Sequence, residues 1–249
     1  MNQNEAMIEL HLESLIRDGQ ARAALELILE SEQKESSSRS ADFTLSLTQL
    51  SHLCRLHLYI CDTCAPHELG QEIMISDLIL RSVQLGLLDV ANTLAGDSDI
   101  HLQCILINAL YGEGYISIVK EKIAPIDHSL LTSAKAPYRE IAYIYAEILH
   151  DDERYNDAAI IFEALAEETP YMAKARYAAC SCYLNETMNF LLARIELYHP
   201  GKDEQAKISK YLDDISTTLQ IIHSTRWHTE WSLSQSKRSL SELPDSTLH

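Results

Sequence analysis

Apolar residues recur along this chain at helical spacing, with no stretch of the two-residue alternation that marks a half-buried strand. The pattern is plainest between Ala136 and Leu184. Ala142, Tyr145, Ala146 and Leu149 fall at i, i+3, i+4 and i+7, one face of a 3.6-residue period. Tyr155, Ala158, Ala159, Phe162 and Leu165 repeat that face on a second stretch. Polar breaks at His150–Arg154 and Glu167–Pro170 separate the helices. Pro170 predicts a stop, because proline disfavours the α conformation in the residue before it. The small side chains of Ala142, Ala146 and Ala158 predict close approach of two helix backbones, with Tyr155 and Phe162 filling the space that remains.

The rest of the chain follows the same habit. Glu5–Arg17 and Gln20–Ser31 predict a helical hairpin turned at Asp18–Gly19, with Met7, Leu10 and Leu15 facing Ala24 and Ile28. The order Gly19, Ala21, Ala24, Ile28 echoes the order Arg154, Tyr155, Ala158, Phe162. A Ser-rich polar loop follows, and then a helix over Phe43–Cys64 with Asp42 as a candidate N-cap. Further helices are expected at Glu68–Leu85, Leu87–Ala95, Ile100–Tyr111, Tyr115–Ile123 and Ser129–Ser133, with Pro125 in an irregular connection. Beyond Met172–Leu184, the pattern predicts Thr187–Tyr198, a break at His199–Gly201, and a terminal helix at Lys202–Ile222. That last helix carries Ile208, Tyr211, Ile215, Leu219 and Ile222 as its apolar stripe, with Trp227 and Trp231 prolonging it. The expected fold is all-α, with about ten to twelve helices in antiparallel pairs stacked as an α-solenoid. Its segments are a hairpin at residues 1–31, a helical array at 43–231 with a capping terminal helix, and a polar tail at 232–249.

Ala146, Tyr155, Ala158, Phe162 and Pro170 stand at the spacing of a tetratricopeptide repeat, and the stretch resembles that family. Tyr145 and Leu149 match its large apolar positions, whereas Ala142 replaces its early Trp. The resemblance covers one repeat, and Met172–Leu184 looks like the first helix of the next. It implies a binding scaffold whose groove is lined by first-helix residues. Here those would be Tyr143, Glu147 and His150, followed by Lys174, Tyr177 and Ser181. Some members clamp a peptide's terminal carboxylate with Lys and Asn. Tyr143 and Tyr177 replace the basic position and Glu147 is repulsive, so that clamp is not expected.

Charge narrows the partners. The chain carries 37 acidic and 20 basic residues, a formal charge of −17. Such a surface repels phosphate backbones, and no basic stripe stands in the sequence, so nucleic acid is not the expected partner. No apolar run approaches the length of a transmembrane helix, so membrane insertion is not expected either. The first residues lack a basic stretch, and a cytoplasmic location with reduced thiols is expected. The groove would suit an apolar or basic segment of a partner protein, whose side chains bury against tyrosine.

Chemistry has one candidate centre. Cys54, His57, Cys61 and Cys64 share a helix face, and His67 follows in a loop. Residues ten apart on a helix are separated by about 15 Å, so the four cannot converge on one zinc ion. Buried structural cysteines are the expected outcome, and no metal or cofactor is expected. Gly112-Glu-Gly114 lacks the preceding strand and the longer fingerprint of a phosphate loop, which makes it a turn. Asn185-Glu-Thr187 matches a glycosylation sequon without a secretory context. The sequence thus predicts a non-catalytic protein–protein interaction scaffold. Its alternatives are a chaperone for a secreted or assembly-prone subunit, a subunit of a larger complex, and a metal- or thiol-dependent enzyme centred on Cys54–His67.

Overall fold

A computed structural model describes residues 3–33, 39–60, 74–167 and 172–241. Among them the chain is 83 % helix without a strand, which makes it all-α. There are twelve helices among the described residues. Backbone contacts divide the chain into two units, Met1–Pro125 and Ile126–His249. The first holds α1 (Gln3–Arg17), α2 (Ala21–Gln33), α3 (Ala41–Ile60), α4 (Ile75–Gln84), α5 (Leu88–Ala95), α6 (Ile100–Gly112) and α7 (Ile116–Ile123). The second holds α8 (His128–Thr132), α9 (Arg139–Asp151), α10 (Tyr155–Ala166), α11 (Met172–Tyr198) and α12 (Lys202–Ser241).

One local device occurs four times among the described residues. Gly19, Gly86, Gly114 and Glu153 have φ of 76°, 76°, 81° and 61°. Each follows a helix whose end it closes. The next amide, of Gln20, Leu87, Tyr115 or Arg154, donates to the carbonyl of Leu15, Ser82, Leu110 or Leu149 at 2.8–2.9 Å. The left-handed residue itself donates to Ile16, Val83, Tyr111 or His150 at 3.0–3.1 Å. This is the Schellman arrangement, and a new helix starts two residues later. The residue five beyond the left-handed one is Ala24, Ala91, Val119 or Ala158, each 0 % exposed. The residue seven before it is Leu12, Ile79, Ile107 or Ala146, also buried. The echo between Gly19–Ile28 and Arg154–Phe162 is therefore real in geometry, with Glu153 rather than Arg154 in the place of Gly19.

The first unit is built on Leu and Ile. Leu12 and Ile16 of α1 and Ala24 and Ile28 of α2 join Leu47 and Leu50 of α3 in one cluster, which extends to α4 and α5. Residues 1–31 thus share a core with the helices that follow them. Met7 and Leu10, placed inside by the periodicity, are 67 % and 64 % exposed. The inward face has turned to Leu12 and Ile16 because α1 packs on α3 as well as on α2.

Polar contacts fix that packing. Glu5, 6 % exposed, accepts from the backbone amide and the hydroxyl of Ser40, both at 3.0 Å. Ser40 Oγ in turn accepts from the Phe43 amide at 3.3 Å, so Ser40 caps α3 rather than Asp42. Arg81 of α4 donates to Glu9 at 2.5 Å, Glu13 at 3.0 Å, Ser46 at 2.9 Å and Gln49 at 2.8 Å. Its side chain is 15 % exposed, and the two carboxylates are 19 % and 22 % exposed. One guanidinium thereby joins α1, α3 and α4.

Alanine dominates the core of the second unit. Ala142 and Ala146 of α9, Ala158 and Ala159 of α10, and Ala175 and Ala178 of α11 lie in one cluster with Phe162 and Leu165. Small residues shorten the distance between helix axes, and α10 packs against both α9 and α11. One expected break is absent. α11 runs unbroken from Met172 to Tyr198, since Asn185 and Glu186 introduce neither Gly nor Pro. α12 continues to Ser241 and so enters the stretch expected as a polar tail from residue 232. On α12 the inward stripe takes Leu212 in place of Tyr211, which is 58 % exposed. Pro170, the side chains of Trp227 and Trp231, and residues 242–249 of the polar tail lie outside the described residues.

The turns and the Arg81 cluster predict measurable stabilities. A Cβ added at Gly86 would meet only the Tyr115 hydroxyl, at 4.0 Å. Backbone strain alone should therefore make Gly86→Ala cost about 1–2 kcal/mol, read from urea midpoints. Glu153→Gly should move the other way, since it relieves a non-glycine left-handed residue. Arg81→Met strands two partly buried carboxylates and should cost about 3 kcal/mol, with the far-UV spectrum below the transition unchanged.

Candidate protein-binding face

α9 begins at Arg139 and α11 at Met172, and both pack against α10. The six residues singled out by sequence lie on these two helices. Lys174 Nζ sits 4.3 Å from the centre of the Tyr143 ring, a cation–π contact. At the other end, Asn185 Nδ2 lies 3.3 Å from His150 Nε2 and 3.4 Å from Ser181 Oγ. With Asn185 as donor, the ring proton of His150 stands on Nδ1, 3.6 Å from Asp151 Oδ1. Glu147 and Tyr177 fall between the two ends by register, both half-buried.

Tyr143 differs from its expected role. It is 7 % exposed and meets Phe162 edge-on, with ring centroids 5.6 Å apart. α9 is covered on more than one side, since Ile141, Ala142, Tyr143 and Ile144 are all buried in succession. The ring fills space that the alanines leave open, and Lys174 lies over it. The row therefore offers hydrogen-bonding groups rather than a wall of tyrosine rings. Asn185 links His150 to Ser181, and sequence reading passed over it as part of a sequon. The signal was its i+4 spacing from Ser181.

Carboxylates gather at the His150 end. The Tyr155 hydroxyl is pushed above its usual range by burial first, then by the charge of Glu153, by Cys182, and by the charges of Glu186 and Asp151. The His150 ring meets Tyr155 edge-on at 5.2 Å. The left-handed turn at Glu153 sets this corner, because it reverses the chain between His150 and Tyr155. Nearby, Tyr183 donates to Glu163 at 2.7 Å, and that hydrogen bond is the first cause of its raised pKa. The result is a half-buried polar row ending in a negative corner.

The cysteine-centred alternative looks different in three dimensions. Cys54 is fully buried in the first unit's core, and desolvation pushes its thiol up to about 12. A thiol so placed supplies almost no thiolate near neutrality. His57 Nδ1 is buried without a hydrogen-bond partner among the described residues. Cys61, Cys64 and His67 lie outside those residues. Among the described residues no three His, Cys, Asp or Glu side chains are grouped to hold a metal ion. No described helix is long and apolar enough to cross a membrane.

Thiol accessibility follows from burial. Cys180 is exposed, whereas Cys54, Cys104 and Cys182 are buried. Iodoacetamide at pH 8 should label Cys180 at once and the three buried thiols only on unfolding, read peptide by peptide by mass spectrometry. Rapid labelling of Cys54 would contradict its desolvated position. No protein-family model, no curated protein and no solved structure matches the chain.

Proposed function

We propose that this chain is a non-catalytic protein-interaction module, an array of helix pairs in the manner of tetratricopeptide repeats. Its partner presents a basic segment across α9 and α11. One observation carries the reading: the charges of Glu153, Glu186 and Asp151 all act on the Tyr155 hydroxyl, whose ring meets His150 in the hydrogen-bonding row of His150, Asn185 and Ser181. A Lys or Arg side chain of the partner would enter that corner and form charge-assisted hydrogen bonds with its carboxylates. Ser181 and Asn185 would serve the partner's backbone, and Glu147 and Tyr177 would extend the contact along the row. The formal charge of −17 supports the same partner, since it steers basic segments toward the chain and slows acidic ones.

The test is fluorescence anisotropy of labelled peptides with the full chain. Lys/Arg-rich peptides should bind and Asp/Glu-rich peptides of the same length should not. Reversing two charges, Asp151→Lys with Glu186→Lys, should weaken binding at least tenfold, about 1.4 kcal/mol. Added salt should weaken it further, because exposed charges are screened. Asn185→Ala should weaken binding with the fold intact. Equal affinity for acidic and basic peptides, or indifference to the charge reversal, would sink the proposal.

A further inference from the structure

The hairpin of α11 and α12 leaves its own seam half covered. On α12, Ile208, Leu212, Ile215, Leu219 and Ile222 are spaced four, three, four and three residues apart. On α11, Leu184, Met188, Leu191 and Ile195 follow the same heptad rhythm. The α12 stripe spans about 22 Å at 1.5 Å per residue. Of these nine side chains only Ile208 is buried, and the others are half-buried. None belongs to the alanine-rich cluster that joins α9, α10 and the first half of α11. Two helices cover a seam from two sides only. Beside it runs a groove of about 380 Å³ lined by Leu184, Leu191 and Ile215, with Thr187, Tyr211, Asp214 and Thr218 around it.

Three features indicate what fills that groove. The heptad places Ile208, Ile215 and Ile222 at d, with Leu212 and Leu219 at a. In parallel coiled coils, Leu at a with Ile at d favours assemblies of more than two helices. The flanking positions agree with this. A two-stranded coil carries Glu and Lys beside its seam, yet here Ser209, Tyr211, Ser216, Thr218 and His223 stand there. Lys207, Lys210 and Asp213 fall on the positions farther from the seam, and Asp214 is the one charged side chain that lines the groove. The flanking ion pair Arg194–Glu204, at 2.9 Å, sits by the turn of the hairpin. Finally, residues 1–183 hold 28 acidic and 13 basic side chains, a net −15, whereas residues 184–249 hold nine and seven, a net −2. Two copies of so acidic a chain meet with least repulsion through this hairpin.

We propose that a second copy of this chain docks here. The two α11–α12 hairpins would pack about a two-fold axis into a four-helix bundle, each closing the other's groove. Tyr211 and Thr218 are exposed in the single chain and become central to the contact. By register Glu186 falls on the side of α11 away from Leu184 and Leu191, so the basic-segment site and this face use different sides of that helix.

Sedimentation equilibrium of the full chain tests the proposal, with light scattering after gel filtration as a second reading. The wild type should have twice the 28.2 kDa chain mass. Tyr211→Lys and Thr218→Lys should each shift the equilibrium to the single-chain mass, with helical circular dichroism unchanged. Lys210→Glu, on the face away from the seam, should leave the dimer intact. A wild type that keeps the single-chain mass at the highest concentration reached overturns the proposal. So does a dimer that survives both lysine substitutions, since another face would then pair. A single-chain wild type whose Tyr211–Thr218 amides are shielded from hydrogen exchange, relative to the neighbouring turns, overturns it too and assigns the groove to another segment of the same chain.

Discussion

Four helix ends among the described residues close with the same pair of backbone hydrogen bonds, and the packing of each helix pair depends on that closure. The left-handed residue lets the amide beyond it reach back five residues, so the chain reverses within a single turn. After so tight a reversal, the following helix lies against the preceding one at a set register. That register buries the position five beyond the turn completely. Ala24, Ala91, Val119 and Ala158 occupy it, all small or β-branched and all fully buried. A long side chain there would separate the helices or force the turn open.

With the turns in place, the two units fill their cores differently. In the first, Leu and Ile side chains interlock, and the Arg81 guanidinium ties three helices with hydrogen bonds that leave both carboxylates served. In the second, alanines let α9, α10 and α11 close on one another, and single aromatic side chains fill what remains. Close approach has a functional consequence: it draws Tyr143 into the core and leaves polar groups at the junction of α9 and α11. Specific recognition there would rest on hydrogen bonds and charge rather than on aromatic burial. α11 changes role along its length, from an alanine face against α10 to a heptad seam against α12. The proposed binding row and the proposed contact between copies thus share one continuous helix.

Helical class, the positions of most helices and the alanine contacts were legible from periodicity alone, because the 3.6-residue rhythm and the scarcity of Gly and Pro act locally. The repeated turn was harder to see. Its left-handed residues stand at 19, 86, 114 and 153, at unequal intervals, and one of them is Glu. No fixed period or residue type marks the set, and only the backbone angles do. Tyr143, Tyr211 and Met7 show the same limit. Periodicity gives a face its hydrophobicity, whereas the number of neighbouring helices decides which side of that face is covered.

The amino-acid order by itself determined that the chain is helical and strongly acidic, where its small residues permit close packing, and where a heptad rhythm enters. Those properties depend on near neighbours in the chain and on summed charge. Tertiary structure alone decided that Arg81 meets Glu9 and Glu13, that Ser40 caps α3 with Glu5 behind it, and that Asn185 joins His150 to Ser181. It also decided that the charges of Glu153, Glu186 and Asp151 all act on the Tyr155 hydroxyl. The Arg81 and Asn185 contacts join residues on different helices, and Glu5 reaches Ser40 from α1, with a separation of 72 positions in the Arg81–Glu9 pair. Only the packing of one helix on another brings such groups within reach of a hydrogen bond.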